Sequence, residues 1–561
     1  MEMSGVSGVS QRGWFRSAVV LVPLLASCST GTAGPAGTTT TTATGTTTAA
    51  AALESLCTGI VSAGLGGGTL CVDSRFRMDE DRFSFANWGR SRAADDNVTV
   101  QTLVDLFGHS QVCMPGPETE CVLRPGTRQA LHEWNVSISG GRCEGMAVLS
   151  QRMFLRYDVP SDFGNGYTHA ADVPRTAPGI ASALVHWWAT QFAPEVQRAA
   201  ALSRTRSPGE LVAELITGLA NGAGHTVGLY SNGAGHSVTP FAVTRRGDTW
   251  VVHVYDNNDP RTRHELLVRP AEGTWRYEGP AETWEGSTGT MEITPLGVRE
   301  GPFTCPFCSA PDDSTVVTVA SQDGPAHPMI VIDAGDLGTV EQTADGFVST
   351  LTGAVIEPGK GRGGSVTVRL PAEAAPLQIE LRGTDGVPHS PATVTVRRKG
   401  HVDLQVREAM PAAPVGSARV TAPLLTLDAQ GTTVTAAGGQ VQVSVAGASN
   451  LGTVPVAEDD VLHVSQVSRG AGGDSAAISY EPGGAAGNKS APFVIELAPV
   501  TATDTDIMPK NGVLTATASP TQAQPVQPAR KFRSAPLPTR PAPTTTAASG
   551  NIPSVDVTLP G

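Results

Sequence analysis

Ser139-Gly140-Gly141-Arg142-Cys143-Glu144-Gly145-Met146-Ala147-Val148-Leu149-Ser150-Gln151-Arg152-Met153-Phe154 breaks the chain with two glycines and then starts a helix. From Cys143 onward, Met146, Leu149 and Met153-Phe154 recur at helical spacing, which predicts one buried face and puts Cys143 in the first turn. A thiol there meets backbone N–H groups that have no acceptor inside the helix. Those donors, with the positive end of the helix dipole, favour thiolate over thiol. Arg142 adds to this and Glu144 opposes it. The position suits a nucleophile, and a nucleophile needs a base.

Two copies of one pentapeptide offer a histidine, Asn221-Gly222-Ala223-Gly224-His225 and Asn232-Gly233-Ala234-Gly235-His236. Topology separates them. Thr226–Ser231, Ser237–Thr244 and Thr249–Asn257 read as three successive antiparallel strands, joined by turns at Asn232–Gly235 and Arg245–Asp248. In such a meander the start of the second strand and the end of the third share one edge. His236 and Asp256 therefore fall together, and His225 falls at the opposite edge. Asp256 can accept the second imidazole N–H and hold its tautomer, completing a Cys–His–Asp set.

At these residues the sequence resembles the papain-like cysteine peptidases, in the broad sense that includes bacterial leader-processing enzymes. The pieces that carry the resemblance are the Gly-rich approach to Cys143, the Gly-His-Ser-Val-Thr-Pro-Phe-Ala-Val strand at 235–243 and the Val-Tyr-Asp-Asn-Asn strand end at 254–258, all within about residues 75–280. The resemblance implies Cys143 as nucleophile, His236 as general base and then acid, and Asp256 as the orienting acid. It implies hydrolysis of a peptide or amide bond in a peptide or protein substrate through a thioester, with no cofactor and no metal. Relatives place a Gln before the cysteine to bind the oxyanion; here the nearest amide is Asn135, the candidate donor beside the Cys143 backbone N–H. Two other outcomes stay open: a transglutaminase-like enzyme or cell-wall amidase on a related fold, and a non-enzymatic binding or adhesion lipoprotein on a degenerate peptidase fold.

Around the motif, 178–203 and 207–220 read as helices, the second opened by the capping box Ser207-Pro208-Gly209-Glu210. Phe83, Phe85 and Trp88 read as core, as do Met146 and Trp187-Trp188. Asp256-Asn257-Asn258-Asp259 lacks the Gly and terminal Glu of a calcium loop and carries Pro260 where a ligand is needed, so it is not read as a metal site.

Arg12 and Arg16 precede an apolar run from Ala18 to Ala26, too short to span a bilayer, which ends in Leu25-Ala26-Ser27-Cys28. This resembles a bacterial lipobox. Cys28 would then carry lipid and anchor an exported protein to the bacterial cell membrane or surface; an ordinary signal peptide cut nearby is the alternative. Export permits disulfides. With Cys28 lipidated, seven cysteines remain, and sequence neighbours pair as Cys57 with Cys71, Cys113 with Cys121 and Cys305 with Cys308, leaving Cys143 free.

The 561 residues carry 52 acidic against 39 basic side chains, a formal charge of −13, and the first lysine is Lys360. No polybasic surface for nucleic acid can be drawn from this. The 63 Gly and 42 Pro argue against a helical bundle or coiled coil. From about 311 to 500, short Val/Thr-rich runs separated by Gly or Pro have the habit of antiparallel sandwiches. The expected fold is α+β, a papain-like cysteine-peptidase domain followed by one or two all-β sandwich-like domains with a soft boundary near 410–417. Its organisation is a lipoprotein signal peptide at 1–27, a Thr/Ala/Gly-rich tether at 28–53, a papain-like peptidase domain of helices plus antiparallel sheet at 54–310, a β-sandwich-like domain at 311–410, a second β-rich domain at 411–500 and a disordered Pro/Thr/Ala-rich tail at 501–561. No feature of the sequence specifies an oligomeric state.

Overall fold

The computed structural model describes residues 57–308, apart from 58, 61–64, 115 and 232–233, and residues 314–529 with breaks between strands. The expected signal peptide, Cys28 and the tether lie outside the described residues. The chain is mixed helix and antiparallel sheet, compatible with an α+β class. No described helix is long and apolar enough to cross a membrane.

The first part holds seven α-helices among the described residues: α1 (Val100–Phe107), α2 (His109–Val112), α3 (Pro125–Ile138), α4 (Cys143–Phe154), α5 (Ile180–Ala189), α6 (Pro194–Arg204) and α7 (Pro208–Ala220). Its strands are β1 (Gly59–Ile60), β2 (Thr69–Asp73), β3 (Glu120–Cys121), β4 (His225–Ser231), β5 (Ala234–Arg246), β6 (Thr249–Tyr255), β7 (Arg263–Arg269), β8 (Thr274–Glu278), β9 (Thr283–Ser287) and β10 (Met291–Pro295). The helix expected over 178–203 is two. Pro194 has no N–H and forces Ala193 into extended backbone (φ −68°, ψ 136°), so α5 stops and α6 starts afresh. The Ser207–Glu210 capping box forms as read, Ser207 N–H donating to Glu210 Oε2 at 2.8 Å.

The sheet runs β1-β2-β5-β6-β7-β8-β9, with β4 on the leading end of β5 and β10 outside β4. One long strand serves both parts. Residues 234–238 of β5 pair with β4; from 239 on the strand pairs with β6, with a register shift between Pro240 and Ala242, where proline has no N–H for the ladder. α7 packs its Leu211, Leu215 and Leu219 face on this sheet. Between the sheet and α5 lies α4, and the expectation of one buried face is too modest: Gly145 to Met153 are all buried, including Ser150, Gln151 and Arg152. Each of these polar side chains finds a partner, though Gln151 Oε1 has none. Ser150 meets Thr239 Oγ1 at 3.2 Å, Gln151 Nε2 donates to Pro240 O at 3.2 Å, and Arg152 pairs with Asp158 at 2.7 Å beneath the Trp187 ring.

Of the one or two β domains expected, the described residues form one, with a single core. Two nine-stranded sheets hold its described strands, and each crosses the supposed boundary near 410. Asp403–Glu408 pairs with Val441–Ala446 in one sheet, and Leu377–Arg382 with Leu425–Leu427 in the other. One core runs through both, from Val317 and Ile332 to Leu462 and Ile478. Nor does structure stop at 501: Thr503–Lys510 and Val513–Pro520 form a hairpin at the edge of the first sheet. Gln524–Pro525 then pairs with β3, and Val526 is buried among the helices of the first part. Most of the expected tail, 530–561, lies outside the described residues.

Candidate active site

Cys143 is the first residue of α4, half-buried, and a free thiol. The other described cysteines are bonded as Cys57–Cys71, Cys113–Cys121 and Cys305–Cys308. His236 stands near the start of β5 and Asp256 directly follows β6, so the meander brings them to one edge as the strand pattern predicts. His236 Nε2 lies 2.8 Å from Asp256 Oδ1. A buried carboxylate accepts, so Nε2 carries the proton in that bond, and the other ring nitrogen is left for the Cys143 side chain, with which the imidazole also hydrogen-bonds. His225 is elsewhere, at the far end of β4 against Gly218 and 3.8 Å from Glu214.

Burial works against charge on His236, but its hydrogen bonds to Asp256 and Cys143 and their negative charge outweigh it, and its pKa is pushed up to about 10. Burial likewise works against the Asp256 carboxylate, and donors outweigh it: His236, the Tyr277 hydroxyl and the Asn258 N–H at 2.7 Å hold it below the usual carboxylate range. The result is an imidazolium over a wide pH range beside the sulfur.

Arg142 and Glu144 do not act as the sequence suggests. The Arg142 guanidinium is fully buried and bonded to the carbonyls of Trp88, Gly89 and Asp96, so it serves as a brace. Burial lowers its pKa to about 10. Glu144 is ion-paired with Arg299, which also donates to Thr190 and Thr226, so the carboxylate is neutralised where it sits.

Asn135 does not reach the site. Its carboxamide is spent on the backbone of Val98, through a 2.8 Å bond from its N–H and a 2.9 Å bond to its carbonyl, and on Leu131 O. The amide at the helix start is Asn87. Its Oδ1 accepts from Arg142 N–H at 2.7 Å, its Nδ2 donates to Asn258 Oδ1 at 2.9 Å, and its own N–H donates to Asn257 O at 2.7 Å. Asn257 completes the lattice, fully buried, giving Nδ2–H to both Cys143 O (3.0 Å) and Ser237 O (2.9 Å). One side chain thus ties the nucleophile's helix to the base's strand. Trp284 on β9 lies edge-on to His236, ring centroids 6.2 Å apart. Asn87, Asn257, Asn258, Tyr277 and Trp284 were not legible as site residues: only Asn257 and Asn258 adjoin a motif, and asparagines after a strand read first as a turn.

Compared with family models, curated proteins and solved structures, the chain matches none.

Proposed function

We propose that the protein is an exported cysteine hydrolase with a papain-like site, cleaving a peptide or amide bond. The observation that carries this reading is one imidazole set between a free thiol on a helix N-terminus and a buried carboxylate. The Cys143 thiolate attacks the carbonyl carbon, and the oxyanion forms beside the N–H groups that open α4. Asn87 keeps a second Nδ2 hydrogen beyond the one given to Asn258, and takes the donor role first expected of Asn135. His236 gives its Nδ1 proton to the departing amine, leaving a thioester; it then takes a proton from water, whose oxygen attacks the thioester and frees the acid and the thiol. Asp256 keeps the imidazole turned toward the sulfur throughout. Three disulfides in the described residues accord with export, and a lipid on Cys28 would hold the enzyme at the bacterial surface.

The test is alkylation of the purified mature protein, without reductant, by chloroacetamide across pH, in wild type, His236→Ala and Asp256→Asn. Rapid labelling confined to Cys143 at about pH 5–6, slowed by His236→Ala, is the expected result. Slow labelling of the wild type, or indifference to His236→Ala, overturns the reading.

A further inference from the structure

Beyond Asp256, away from the sulfur, stands a residue that the three-residue site does not use. Tyr277 lies on β8, is 1% exposed, and turns its hydroxyl onto Asp256 Oδ2, the oxygen that His236 leaves free. It comes from a different part of the sheet: β8 pairs with β7, which pairs with β6, the strand that ends at Asp256. Core packing alone would be met by phenylalanine. The hydroxyl has to be explained by what it bonds, a fully buried carboxylate, where an oxygen without a donor is costly.

We propose that Tyr277 is a positioning residue for the hydrolytic site, holding Asp256 through Oδ2 so that Oδ1 meets His236 and setting how strongly the carboxylate pulls on the imidazole proton. The inference rests on the Cys–His–Asp reading above. The carboxylate has three donors, His236 Nε2–H and Asn258 N–H on Oδ1 and Tyr277 O–H on Oδ2, which pins it about its own bond axis. The donors share its charge. Tyr277 stays a neutral donor, since burial and the Asp256 charge raise its pKa. Charged and titratable groups face this cluster from four sides: Cys143 across His236, Tyr255 on β6, Asp259 in the following loop, and His264 on β7, whose ring lies 6.0 Å from that of Tyr277 and whose Nε2 is 3.3 Å from Asp259. Asp259 also touches Asp256 directly, its backbone N–H donating to Asp256 O at 3.2 Å.

Tyr277→Phe removes one donor and keeps the ring. With less of its charge shared, Asp256 becomes more basic, so it takes up a proton at higher pH and, while ionised, holds the imidazolium longer. The His236 ring, followed by carbon-13 NMR, is expected to lose its proton about one pH unit higher. Placing 3-fluorotyrosine at 277 makes a better donor in the same place, and moves that midpoint the other way. If Tyr277 serves only to pack, Tyr277→Phe slows Cys143 labelling and leaves the midpoint in place, and fluorination does nothing; that result overturns the proposal. Should Tyr277→Phe fail to fold, the fluorinated protein decides alone. A wild type with no acid-range labelling of Cys143 instead overturns the hydrolase reading itself, whatever Tyr277 does.

Discussion

His236 and Asp256 carry opposite shifts to which their mutual hydrogen bond contributes, and the signs set a pH window. The His236 value rises from 6.5 to about 10, so its contribution to stability is complete below 6.5 and is lost as pH climbs through 10. Asp256 is depressed below 3.8, so its contribution is complete above 3.8 and is lost as pH falls through the lower folded value. The difference in unfolding free energy between wild type and His236→Gln, from urea titrations, should therefore be greatest at about pH 4–6.5 and shrink by a few kcal/mol toward pH 10. A flat difference would mean that the pair does not form. Asn257 makes a second argument at this scale. Asn257→Ala takes a donor from two carbonyls, Cys143 O and Ser237 O, and should cost about 1–3 kcal/mol and slow Cys143 labelling even at its optimal pH. Asn135→Ala, by contrast, should cost stability through Val98 and Leu131 and leave the labelling profile unmoved.

Among the elements, α4 decides the geometry, because it is buried on all sides and must bring its first residue to the sheet edge. A glycine makes this fit. A Cβ at Gly145 would lie 2.0 Å from Leu184 O and 3.0 Å from Trp188 N, so α5 presses its backbone against α4 there. Gly145→Ala should force the two helices apart at a cost of about 1–3 kcal/mol, read by urea unfolding. Labelling of Cys143 should slow with it, since the thiol is two residues away. The reading of α4 from periodicity found its start and its register and missed the burial of Ser150, Gln151 and Arg152. Those residues look solvent-facing by spacing alone; Thr239, Pro240 and Trp187, far along the chain, provide the partners that let them stay inside.

Over the whole molecule, the β region behaves as one body because its sheets are shared. Strands from 425 to 520 extend sheets begun by strands from 315 to 408, and one core reaches from Val317 to Tyr480. A fragment holding residues 411–529 alone should lack dispersed amide signals and cooperative unfolding, while 311–529 should show both. The chain then comes back: Val526 N–H donates to Thr119 O at 3.0 Å, Gln527 N–H donates to Gln101 Oε1 at 2.8 Å, and Val526 joins the core around α1 and α3. Truncation after 522 should expose that core and speed proteolysis within 100–138, with the triad's labelling profile kept, since the strap touches the helices away from β5.

What the sequence determined is local. Glycines and helical spacing start α4 at Cys143, Ser207 and Pro208 start α7, a meander of three strands sets His236 beside Asp256, and cysteines a few residues apart find each other. Each depends on backbone preferences and partners within one or two turns or hairpins, which a short window contains. The tertiary structure alone decided the rest: Tyr277 behind Asp256, Asn87 at the start of α4, Arg299 on Glu144, strands before and after 410 in the same two sheets, and a C-terminal strand on β3. These partners lie between 21 and 403 residues apart, as from Asp256 to Tyr277 and from Cys121 to Gln524. Nothing in the local chain specifies such pairs; they arise because burying apolar faces first stacks the sheets and helices, and every buried polar group must then find its partner among whatever that packing brings near.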